Sequence, residues 1–70
     1  MPNLENAIQI KRRANAAIAE LDAIISDLHG QVPEEEMLAI RKSVGSSIGL
    51  IIHQILEPIF RQYPEIDEDI

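Results

Sequence analysis

Cysteine and tryptophan are absent from the 70 residues, and the aromatic total is one Phe and one Tyr. Without thiols there is neither a disulfide framework nor a thiolate metal site. Only three glycines and four prolines punctuate the chain, so it has few points at which to turn. Basic residues are scarce too: six Lys and Arg face twelve Asp and Glu, for a formal net charge of -6. That balance disfavours binding a polyanion through the overall field and agrees better with a basic partner or with simple solubility. No window holds the roughly 18 uninterrupted apolar residues of a membrane span. The opening "MPNLENAIQIKRR" carries charges where a signal peptide needs its apolar core. A cytoplasmic protein with no membrane and no nucleic-acid partner is expected.

What is present is a helical vocabulary. The apolar share is 46%, drawn mainly from Ile, Ala and Leu. Leu4, Ala7, Ala14, Ile18, Leu21, Ile25 and Leu28 recur at three- and four-residue spacing, widened by Ile10, Ala17 and Ile24, which predicts an amphipathic helix over 4–29. Asn3 is its candidate N-cap. Gly30 suits the left-handed residue that ends a helix, 30–32 form the turn, and Pro33 suits a first helical position. Glu34, Glu35 and Glu36 then place negative charge at the positive end of a second helix over 33–61. Pro58 removes a backbone donor near its end, predicting a kink or an early stop at Glu57. The fold class is therefore all-α, an antiparallel helical hairpin of two long helices over 1–63, followed by 64–70 as an acidic, frayed tail.

The two helices need different amounts of cover. On the second, Met37, Val44, Ile48, Ile51, Ile55 and Ile59 form one row. Leu38, Gly45, Gly49, Ile52, Leu56, Phe60 and Tyr63 form another, and together the rows span about 200°. One antiparallel neighbour covers one row. Leaving the other in water costs about 1.5–3 kcal/mol per large side chain, too much for a domain that buries only about 60% of its unfolded surface. A second copy is the economical cover, giving a homodimeric four-helix bundle, or a tetramer, with Leu38, Gly45, Gly49, Ile52, Leu56 and Phe60 at the interface. Pairing positions outward from the turn brings Asp22 level with Arg41 as a partly buried ion pair. It also sets Ala17 and Ala14 opposite Gly45 and Gly49. The glycines serve either that contact inside the hairpin or one between chains.

Chemistry-bearing residues are few. Ser26, Ser43, Ser46 and Ser47 lack a paired histidine and carboxylate, and there is no glycine-rich phosphate loop, so an enzyme is not expected. No cofactor is implied. His53, one turn from Glu57, is the one candidate metal ligand, and a single His with a single Glu is short of a coordination set unless symmetry doubles it. His29 at a helix C-terminus reads as a dipole partner. Lys11, Arg12 and Arg13 fan across about 200° of helix and make no phosphate-binding plane. The expectation is a small self-associating module for protein–protein interaction or regulation. The alternatives are an acidic inhibitor or antitoxin-like subunit docking on a larger, unidentified protein, and a bundle holding an apolar ligand or metal.

Overall fold

The computed structural model describes residues 3–68, and the chain is all-α, with no strand among them. The outermost residues of the expected domain and tail, 1–2 and 69–70, lie outside that range. The first helix, α1, spans Leu4–Leu28. Asn3 caps it: its Oδ1 accepts from the Asn6 backbone N–H at 2.8 Å, satisfying one of the donors that a helix start leaves unpaired. The helix ends where His29 leaves helical geometry (φ -57, ψ 121) and Gly30 takes φ 78. The Gln31 N–H donates to the Leu28 carbonyl at 2.8 Å, which makes Leu28–Gln31 a type II turn, the kind that requires positive φ at its third residue.

Pro33 (φ -60, ψ 153) is the N-cap of α2, Glu34–Ile51, one position earlier than the first helical residue expected of it. The three glutamates fill the first turn. Ala7 and Ala14 on α1 and Met37 and Val44 on α2 are buried, and α1 packs along α2. The resulting rod measures 45 × 18 × 17 Å.

Pro58 does not stop the helix. In an α-helix its ring would collide with the Gln54 carbonyl and its missing N–H would break the ladder. The turn before it widens instead. Ile52–Leu56 form a π-turn, and the Glu57 N–H reaches back five residues to the Ile52 carbonyl. Pro58 then stands in the first turn of α3, Glu57–Gln62, where a missing donor is tolerated. The helix ends at Tyr63 (φ -131, ψ 72), the residue before Pro64, as the steric demand of a proline on its predecessor dictates.

The wide turn inserts one residue into the pattern of faces. Ile55, expected in the row against α1, is 42% exposed, and Leu56, expected in the other row, is 4% exposed. Ile59 is buried, with Phe60 and Tyr63 half-buried beside it. Thus the C-terminal part of the second row has been turned inward.

The segment after Tyr63 is not a frayed tail over its described part. Residues Glu65–Glu68 form a short helix, α4, whose Ile66 is 5% exposed and packs with Ala7 and Ile59. Lys11 holds it: Nζ donates to the Ile66 carbonyl and lies 5.7 Å from the Phe60 ring centroid. A lysine whose stem runs along an apolar stripe can end on a carbonyl and a ring face, both of which favour a cation.

Candidate functional site

The most prominent unpartnered feature is a strip along α2. Leu38 is 60% and Ile52 37% exposed, Gly45 is exposed and Gly49 half-buried between them. At 100° per residue, Leu38, Gly45, Gly49 and Ile52 fall within about 60° of one another, on a face turned away from Met37 and Val44. The glycines are not spent on the contact with α1. A Cβ built on Gly45 or Gly49 meets nothing within 4 Å, so inside one chain both positions have room for a methyl group. Glycine in a helix interior is less favourable than Ala by about 1 kcal/mol, and nothing within the chain offsets that.

Of the six residues expected at the interface, four line this strip. Leu56 and Phe60 do not: the π-turn has rotated them toward α1 and α4, and their surface is covered by the chain itself. Asp22 and Arg41 are both exposed, and the one ion pair among the described residues joins His53 and Glu57. Arg41 instead borders the strip.

His53 stands at the strip's edge. Its Nδ1 is 3.0 Å from Glu57 Oε2, one helical turn on, and the side chains are 69% and 44% exposed respectively. An exposed pair of this kind is worth at most about 1 kcal/mol. Among the described residues no three His, Asp or Glu come together as a metal-holding group. Ser47 Oγ donates to the Ser43 carbonyl at 3.0 Å, and Arg12 donates to Gln9 Oε1 at 2.6 Å; both bonds are local to one helix.

Sequence reasoning missed two exposed apolar side chains, Ile8 on α1 and Leu50 on α2; Leu4 and Ile24, expected in the apolar stripe of α1, are exposed as well. Ile8 and Leu50 lie off the rows of their helices, which is the signal that would have found them. The accessible surface totals 5153 Å². A compact monomer of this mass has about 4,400 Å², so the rod carries about 800 Å² more, as its elongated shape requires.

The helical run Glu34–Gln62 is, by length and composition alone, long and apolar enough to cross a membrane. Its face is nonetheless interrupted by Arg41, Lys42, His53 and Glu57. Comparison with protein-family models, curated proteins and solved structures finds no match.

Proposed function

We propose that this chain is a helical hairpin that works by self-association, two copies joining through the exposed α2 strip as a four-helix bundle, and that it serves as a non-enzymatic interaction or regulatory module. The observation that carries the reading is the combination on one face of Leu38, Ile52 and two glycines that have open space beside them within the chain. Covering what remains exposed of Leu38 and Ile52 is worth about 1.5–3 kcal/mol for the two together. A helix approaching closely over Gly45 and Gly49 supplies that cover and gives two costly glycines a reason.

Water is the medium we assign, in the cytoplasm, because a membrane crossing by Glu34–Gln62 would place ionisable groups such as Glu57 in hydrocarbon at a cost of about 2.5–3.5 kcal/mol for a central charge. Sedimentation equilibrium on the purified protein tests the reading. The expected mass is twice the 7.8 kDa of one chain, falling to one chain's mass in Leu38→Asp and in Ile52→Asp. A strictly monomeric wild-type protein at micromolar concentration overturns self-association and transfers the strip to docking on a different, larger protein.

A further inference from the structure

We infer that the second copy lies antiparallel across the α2 strip, with Arg41 and Lys42 of each chain against Glu57 of the other, and Glu35 against Arg61. This deepens the self-association reading and rests on it. Charges of alternating sign border the strip along its length: acidic at Glu34 and Glu35, basic at Arg41 and Lys42, acidic at Glu57, basic at Arg61. All six are exposed or half-exposed. On the helical wheel, with one residue's allowance for the π-turn, Glu35, Lys42 and Arg61 lie on one flank of Leu38, Gly45, Gly49 and Ile52, Glu34 and Arg41 on the other, and Glu57 near the midline.

The order of these charges distinguishes the two ways of pairing identical helices. A parallel two-fold sets each group beside its own copy, acid on acid and base on base. Reversing one helix about a centre between Gly45 and Gly49 lays Glu35 on the partner subunit's Arg61 and Arg41 and Lys42 on the partner subunit's Glu57. These contacts then join acid to base. The π-turn, lying before both, draws Glu57 and Arg61 toward the centre by the same small amount. Such an isologous contact repeats each pair twice. Its axis falls where the two glycines permit the closest approach. Glu57 remains able to take part, since His53 occupies only Oε2.

Spin labels and charge exchange test the arrangement. The chain has no cysteine among its described residues or in the full sequence, so Glu36→Cys gives one label per chain at an exposed site off the strip. Pulsed electron–electron distance measurement on the dimer is expected to give about 35 Å between labels for the antiparallel arrangement, against about 20 Å or less for the parallel one. Separately, Arg41→Glu with Lys42→Glu is expected to weaken dimerisation about tenfold or more at low salt, and adding Glu57→Lys to restore most of it. A dimer with the short label distance, or a triple variant no tighter than the double, overturns the antiparallel arrangement and leaves self-association standing. A wild-type protein that never dimerises removes both.

Discussion

Ile55 and Leu56 are adjacent in the chain and have opposite surroundings: Ile55 is 42% exposed and Leu56 4%. An uninterrupted α-helix continuing the Met37–Val44 face would bury the first and expose the second. The π-turn between Ile52 and Leu56 exchanges them, and with them the composition of the surface left for a partner.

Alanine at these two positions should separate their roles. Leu56→Ala is expected to lower stability by about 2–5 kcal/mol, enough to leave much of a small domain unfolded at room temperature. Ile55→Ala is expected to lose about 1 kcal/mol or less. Urea titrations at one fixed protein concentration measure both, and equal losses would contradict the exchange.

The glycines give effects of opposite sign in one experiment. Because a methyl group meets nothing at Gly45 or Gly49 within the chain, Gly45→Ala and Gly49→Ala should each raise the helical stability of the isolated chain by about 1 kcal/mol. The same substitutions should weaken dimerisation by holding the second helix away. Thermal melts at high dilution and sedimentation at high concentration read the two effects apart.

Gly30 is different, because its φ of 78 lies where a side chain is strained whatever the space around it. Gly30→Ala is expected to cost about 1–2 kcal/mol, lowering Tm by about 5–15 °C. Calorimetry checks this, and an unchanged Tm would mean that the turn adopts another geometry.

Lys11 should govern the docking of α4. Removing its hydrogen bond to the Ile66 carbonyl and its position near Phe60 in Lys11→Ala should reduce protection of the Ile66 and Asp67 amides about 5- to 30-fold in hydrogen exchange. These amides donate to Tyr63 and Pro64 carbonyls at 3.1 Å, so their exchange reports directly on α4. Protection in the middle of α2 should stay unchanged.

Much of this architecture is written in local chemistry. Asn3, Gly30 and Tyr63–Pro64 mark helix limits because capping, positive φ and the steric reach of a proline act over a few residues, and the structure places boundaries at or beside each of them. The short-range period of apolar residues likewise determined helices and the Met37–Val44 face. Pro58 was visible as an irregularity, but whether the chain would kink, stop or widen depended on the neighbours available to it.

The tertiary structure alone decided three things. It resolved the conflict at Pro58 as a π-turn, which puts Leu56 into the buried position where Ile55 would otherwise stand. It docked Ile66 on Ala7 and Ile59, since an isolated apolar residue in an acidic segment has no periodic partner from which its burial can be read. It also left Gly45 and Gly49 with open space beside them within the chain. The sequence by itself determined that the chain is helical and has more apolar surface than one neighbouring helix covers, because those properties follow from periodicity. Which side chains make up the uncovered surface was settled by packing, because one extra residue in one helical turn rotates every face beyond it.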